Sequence, residues 1–429
     1  MDYVDAKYKP SENEIIVEFS MEPDGVTFEA ACNEIATESS IGTWTEVSTM
    51  GPAIAKRLKP HVFWMDKKAG NFKIAYPIDL FERGSIPQLM SSIGGNVFGM
   101  KIVKTLRLED VHFPEDYVRG FRGPAFGIEG VRTRLKAWNR PLLGTIIKPK
   151  VGLSPRQMAK VAYESAAGGM DFIKDDENLT SLKFCSFEDR VPLILEAIDK
   201  AQQETGRMIG YSPNITGPAH IMEERAEYAK RHGSKYVMID VITVGWSGLQ
   251  YIRDMNFGMI IHAHRAGHAM FTRPKEHGMS MLAVAKLARL AGVDQIHVGT
   301  AYVGKMSGSS METGEIEDEI EGRFMTEKPG EHILEQFWHK IKPVFAVASG
   351  GLHPGSVPAL VGRMGNNIVI QAGGGVHGHR LGSRAGATAM RQSLDAVMQG
   401  VPIKEYSDTH KELRIALYQW GTSGKGVKD

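Results

Sequence analysis

Apolar and polar positions follow two different rhythms along the chain, and the change falls near Pro124. Before it, alternation with a period of two predicts strands at EIIVEFS, near TWTEV, at FKIAYPI and at KIVKTLRLEDV, because successive side chains on a strand face opposite ways. TFEAACNEIATES and IPQLMSSIGG carry the helical spacing instead. This mixed order predicts a small α+β domain of ferredoxin-like type, with antiparallel strands, over residues 1–124.

After Pro124 short apolar segments alternate with amphipathic ones. LLGTIIKPK, MDFIKDDEN, MIGYSPN, YVMIDVI, MIIHAHR, QIHVGT, VFAVASGG and IVIQAGGG read as eight strands, each ending in polar or glycine-rich residues. Between them lie helical stretches such as SPRQMAKVAYESAAGG, where Ser154 can cap and Pro155 can open the first turn. VPLILEAIDKAQQETG and MLAVAKLARLAG each close at a glycine suited to a helix C-terminus. Eight such units predict a parallel (β/α)8 TIM barrel over residues 125–429. A doubly wound open sheet is the alternative, but it gives no reason for eight units. In a barrel the polar strand ends converge on one face, although they are scattered through the chain.

Composition narrows the functional classes. A chain of 429 residues is long enough for two domains. Lysine plus arginine (51) and aspartate plus glutamate (50) nearly cancel, which argues against a nucleic-acid or membrane-surface partner. Small molecules and other copies of the chain are the expected partners. The two cysteines, Cys32 and Cys185, lie far apart with no metal-type spacing, as in a reduced cytoplasmic protein. The polar amino terminus has no signal-peptide core, and no apolar run approaches the roughly twenty residues of a membrane span.

The strand ends carry the candidate chemistry. In KDDE, alternation puts Lys174 and Asp176 on one face, and Glu177 can swing in where the strand ends. Two carboxylates suit a hard cation such as magnesium; a free ammonium beside them would repel it, whereas a lysine that has added carbon dioxide becomes an anionic carbamate and supplies a third oxygen. A solvated first helical turn is the plainer reading of this motif alone. KPK is expected to hold Lys148 and Lys150 on one strand face, where two ammonium groups would depress each other's pKa and suit proton transfer; surface lysines are the alternative. HAHRAGH offers His262, His264, Arg265 and His268. His262 and His264 share a face and could ligate metal, but a substrate role for His264 and Arg265 fits better, with His262 a satisfied structural histidine. Arg265 and His297 suit one phosphate. The glycines after Ser349 (Gly350, Gly351) and at Gly373, Gly374 and Gly375 let backbone N–H groups approach another, so a bisphosphate is the expected substrate. GTAYVGKMSGSS, carrying Lys305, reads as a lid delivering one cation; a surface loop with an incidental lysine is the alternative.

Together GGMDFIKDDEN, GTIIKPKVGLS, HAHRAGHA, ASGG and QAGGG resemble the large subunit of ribulose bisphosphate carboxylase/oxygenase (RuBisCO), and the resemblance covers nearly the whole chain. ESSIGTWTEV and IGGNVFGM are similar to the amino-terminal segments that in this family reach into a partner subunit's site. The resemblance implies that Lys174 (as its carbamate), Asp176 and Glu177 hold Mg2+, and that Lys148, Lys174, His264 and Lys305 are catalytic. It implies substrate contacts from Glu38, Thr43, Trp44, Asn96, Lys150, Arg265, His297, Ser349, Gly350, Gly351, Gln371, Gly373 and Gly374. It further implies ribulose 1,5-bisphosphate, CO2 and O2 as reactants, and a homodimer or an assembly of dimers without a small subunit. KMSG at the lid, Gly267, Arg380 after His379 and Ile146 depart from the plant pattern and, with GPAFGIEGVR, resemble the archaeal branch (form III). The rival is a RuBisCO-like protein that only enolises or isomerises another sugar phosphate, and it typically lacks part of this lysine, histidine and phosphate-loop set. A non-catalytic phosphate-binding scaffold would need none of it.

Overall fold

A computed structural model describes residues 1–301, 303–304 and 310–422. The chain forms two compact units. One comprises Met1–Gly123, Gly267–Ala291 and Gly322–Ile341, and the other Pro124–Ala266, Gly292–Glu321 and Lys342–Asp429.

The first unit is built on an antiparallel sheet of β1 (Glu14–Pro23), β2 (His61–Asp66), β3 (Asn71–Pro77) and β4 (Val103–His112). β1 is central, pairing with β3 on one side and β4 on the other. Its inward residues Ile15, Val17 and Phe19 are fully buried, which is what the alternating pattern requires. The helix Phe28–Glu38 starts at Thr27, whose side chain accepts from the Ala30 amide. TWTEV forms no strand. Residues 43–49 are exposed, so the segment has no apolar face to bury against a neighbour. A helix at Pro52–Leu58 and strand β2, neither of them anticipated, follow it.

The second unit is a parallel eight-stranded barrel of β5 (Leu142–Ile146), β6 (Phe172–Lys174), β7 (Gly210–Ser212), β8 (Tyr236–Asp240), β9 (Ile260–His264), β10 (Gln295–His297), β11 (Phe345–Ser349) and β12 (Ile368–Gln371). The sheet runs β7-β6-β5-β12-β11-β10-β9-β8. Closure comes from the residues just after β7: Met238 of β8 donates to the Pro213 carbonyl (2.9 Å) and accepts from the Ile215 amide (3.1 Å). Phe172, Tyr236, Ile260, Phe345, Val347 and Val369 fill the interior, as expected where strands are buried on both faces. Helices separate the strands. Pro155–Gly168 carries a full capping box at Ser154 and Gln157, and Phe187–Thr205 ends at Gly206 in the left-handed region.

Polar residues pin the barrel at the strand starts. Asp171, 2% exposed, accepts both guanidinium nitrogens of Arg140 (2.7 and 2.8 Å), one of Arg391 (2.7 Å) and the Leu143 amide (2.9 Å). Burial pushes its carboxyl up, but Arg391 and Arg140 outweigh it and hold the pKa at about 2. A depressed carboxylate contributes stability above its ordinary pKa and loses it as pH falls through the folded value, here between about pH 4 and pH 2. The contribution is about 2 kcal/mol. Stability measured against pH in that window is expected to fall less steeply, by one proton, in Asp171→Asn than in the parent chain. An unchanged slope would remove Asp171 from the acid-labile groups.

Candidate active site

Lys174 is the last residue of β6 and is fully buried. Its ammonium nitrogen has a backbone oxygen (Asp175, 2.8 Å) and the Met238 sulfur (3.3 Å) as partners. Burial lowers its pKa, outweighing the opposing pull of Glu177, Asp176, Asp240 and Asp175. The next three residues turn out of the strand and diverge. Asp175 is fully buried toward the helix Phe187–Thr205 and is locked by Arg190 (3.0 and 2.9 Å), the Tyr211 hydroxyl (2.8 Å) and the Asn214 amide (3.0 Å). That clamp leaves Asp176 and Glu177 to meet the lysines beyond β5.

Those lysines differ from expectation. β5 ends at Ile146, so Lys148 and Lys150 are not strand neighbours pressing on one another. Each has its own carboxylate: Lys148 Nζ lies 2.6 Å from Asp176 Oδ2, and Lys150 Nζ 3.0 Å from Glu177 Oε1. The Glu177 hydrogen bond raises the Lys150 pKa, opposite to the mutual depression that KPK suggested. On Glu177, burial acts upward, yet the charges of His264 and Lys174 bring its carboxyl well below the usual range.

His264, at the end of β9, lies between two acids. Its Nδ1 is 2.6 Å from Asp240 Oδ1 and its Nε2 is 3.7 Å from Glu177 Oε2. Because a carboxylate only accepts, Nδ1 carries the proton, and the Ala266 amide at 3.2 Å is a lesser neighbour. Asp240 thereby fixes the ring's orientation with Nε2 toward Glu177, where the cationic ring pairs with the carboxylate and the neutral ring presents Nε2 as a base. His262 is fully buried, with Nδ1 bonded to Gln295 Oε1 (2.9 Å) and Nε2 to His297 Nε2 (2.9 Å), in keeping with a structural histidine. His297 Nδ1 meets the Ser349 hydroxyl at 2.6 Å. Burial drives both histidines well below the ordinary value, so both are neutral. Arg265 follows β9; burial lowers its pKa to about 10, against the pull of Glu312, and it stays cationic.

Glycine is required at one of the expected phosphate loops and lies close against a lysine at the other. Gly350 (φ +119°) and Gly351 (φ +75°) occupy backbone conformations that side chains avoid. A Cβ on Gly373 would lie 2.9 Å from Lys148 Cε, so the loop backbone rests directly on that lysine. Gln371, 1% exposed, has neither amide nitrogen nor oxygen partnered among the described residues. Such an orphaned group is costly unless a ligand completes it. In the first unit, Asn96 Nδ2 donates to Glu38 Oε1 (2.9 Å), and Trp44, just after Thr43, is 88% exposed. Lys305 lies outside the described residues.

Three residues escaped the sequence reading. Asp175 lies within KDDE but was given no role, Arg190 and Asp240 are polar positions on largely apolar segments, and only tertiary contacts reveal the partners of all three. Asp240 alone had a usable signal, as the polar end of YVMID.

Lysines, carboxylates, histidines and glycine loops meeting where parallel strands end define a (β/α)8 barrel enzyme with acid–base machinery. Among the described residues no three His, Cys, Asp or Glu side chains cluster as a metal site. The chain matches the family described as ribulose bisphosphate carboxylase large chain, catalytic domain, over residues 127–420, and its N-terminal domain over residues 2–117. It therefore belongs to the ribulose bisphosphate carboxylase large-chain family. Similar relatives named ribulose bisphosphate carboxylase come from Methanocaldococcus jannaschii (49% identity, 98% of this chain, 100% of the relative) and Pyrococcus abyssi (49%, 98% and 96%). Similar solved structures are a dimeric archaeal Rubisco from Hyperthermus butylicus (TM-score 0.93, 46% identity, 98% and 99% coverage) and an octameric one from Pyrococcus horikoshii (TM-score 0.91, 48%, 98% and 96%). No helix among the described residues is long and apolar enough to cross a membrane.

Proposed function

We propose that the chain is a cytoplasmic carboxylase that adds CO2 and water to ribulose 1,5-bisphosphate, giving two 3-phosphoglycerates, with O2 as a competing substrate. The observation that carries this reading is Lys174, a fully buried amine with a lowered pKa beside Asp176 and Glu177. An amine must lose its proton to attack CO2, and burial favours that form. The carbamate so formed adds an anionic oxygen to those of Asp176 and Glu177, a hard donor set that fits Mg2+. When bound, the ion would polarise the substrate's carbonyl and hydroxyl oxygens.

The chain's own groups then divide the work. Carbamylated Lys174 takes the proton that starts enolisation. His264, with Nδ1 tied to Asp240, offers Nε2 for proton movement at the sugar hydroxyls. Lys305 steers CO2 and the new carboxylate, and Lys148 delivers the last proton as the six-carbon intermediate splits into two 3-phosphoglycerates. Lys150 contacts the substrate beside Lys148. Gly351, Gly373 and Gly374, with Thr43 and Trp44 of a second copy, receive one phosphate end, and Arg265, His297 and Ser349 the other, while Gly350 and Gln371 contact the substrate. The enolase or isomerase alternative has no specific observation in its favour, since the full set of charged residues is present.

On this reading residues 1–124 cap the site of a second copy, with Glu38 and Asn96 acting in trans within a homodimer or an assembly of dimers. Mixing equal amounts of Asn96→Ala and Lys174→Ala chains is then expected to restore up to about a quarter of the parent activity, because about half of randomly formed dimers are hybrids and each hybrid holds one intact site of two, so isolated hybrids should reach about half. Carboxylation assays on isolated hybrids check this. Activity absent from verified hybrids would mean that each chain completes its own site.

A further inference from the structure

We propose that His377 is a positioning residue that locks the Gly373–Gly374 loop against the Lys148 segment, so that substrate phosphate and Lys148 stay in register; the inference rests on the carboxylase reading above. The ring lies among three elements. Its Nε2 is 3.1 Å from Thr145 Oγ1 on β5, and its Nδ1 is 2.9 Å from Ser383 Oγ at the start of the helix Ser383–Met398. The ring itself belongs to the short turn Gly374–His377 that continues the glycine loop.

The proton positions follow from the partners. Thr145 Oγ1 donates its only proton to the Ala372 carbonyl at 2.7 Å, so it can only accept from His377. Nε2 therefore carries the proton, Nδ1 is bare, and the Ser383 hydroxyl donates to it. A neutral ring satisfies both side-chain contacts, and burial, with the Lys148 charge adding to it, outweighs a hydrogen bond with the Ile146 backbone and lowers its pKa to about 4. The His377 amide also bonds the Gly373 carbonyl (3.0 Å), so the ring is anchored to the loop through its own backbone.

The lock has a steric counterpart. With Gly373 resting on Lys148 Cε, a loop that drifted from β5 would move away from that side chain. Thr145 and His377 hold the two together from below, by hydrogen bonds to the loop's backbone and to its end. None of these groups touches a reacting atom.

The test compares His377→Leu, His377→Gln and Thr145→Val with the parent chain, measuring thermal unfolding, kcat and KM for the bisphosphate, and binding of inorganic phosphate. His377→Leu removes both ring contacts and is expected to raise KM and the phosphate Kd roughly five- to tenfold, with a smaller change in kcat. His377→Gln keeps an N–H for Thr145 and should recover most of that loss. Thr145→Val should reproduce the KM rise, and adding it to His377→Leu should worsen KM little further, because both remove one link. KM and phosphate affinity equal to the parent in folded His377→Leu would overturn the proposal, as would additive effects of the two substitutions. If His377→Leu does not fold, the same judgement falls on Thr145→Val and His377→Gln. A parent chain that binds phosphate but fixes no CO2 would contradict the carboxylase reading, and the phosphate Kd values would still decide the role of His377.

Discussion

Replacing Lys174 with alanine is expected to leave a folded protein whose carboxylation falls by more than about 10^3-fold, the scale seen when a group acting directly in the chemistry is removed. The side chain ends β6 in full burial, with a carbonyl oxygen and a thioether sulfur as its hydrogen-bond partners among the described residues. Its loss breaks no ion pair among the described residues, although Glu177 loses a charge that favours its ionised form, and the Asp175 clamp with Arg190 and Tyr211 remains to hold the strand end. The parent enzyme should gain activity over minutes when a CO2-free sample is given CO2 and magnesium before substrate, whereas Lys174→Ala should stay silent whatever the preincubation. Circular dichroism confirms folding, and initial rates after staged additions read the effect. Full turnover by the variant, or a parent chain indifferent to preincubation, would sink the carbamate assignment.

Asp240→Asn is expected to lower kcat by about 10^2- to 10^4-fold while leaving the fold intact. The carboxylate at 2.6 Å obliges His264 Nδ1 to carry a proton, so Nε2, on the side of Glu177, is the atom that gains or loses the second one. An amide of the same shape can donate instead, which would move the proton to Nε2 and remove the acceptor. Steady-state rates and unfolding temperatures measured together separate this from a general loss of structure. A fall of less than about threefold in kcat would mean that the tautomer of His264 does not matter to the rate-limiting step.

Periodicity exposed the barrel because eight buried strands repeat one pattern, and the polar residue closing each of them marks the catalytic face. KDDE, HAHRAGH and the glycine loops were legible for that reason. The TWTEV error has the opposite cause: a short alternating run forms a strand only if a neighbour covers one face, and nothing local encodes that neighbour. KPK misled because spacing gives relative position on a regular strand, and β5 stops two residues before Lys148. Which charge each lysine meets depends on Asp176 and Glu177 arriving from β6, a tertiary fact. Arg190 was hidden in the same way, since an arginine within a helix acquires a role only from its partner, whereas Asp240, as the acid closing its strand, carried a signal of position but none of its partner.

The most direct measurement supplies 13C-labelled CO2, magnesium and ribulose 1,5-bisphosphate to the activated protein and follows the products by 13C NMR and mass spectrometry. The account predicts two 3-phosphoglycerates for each bisphosphate consumed, one of them labelled in its carboxyl carbon. Bisphosphate that exchanges its proton with solvent or isomerises, with no label entering a carboxylate, would contradict it.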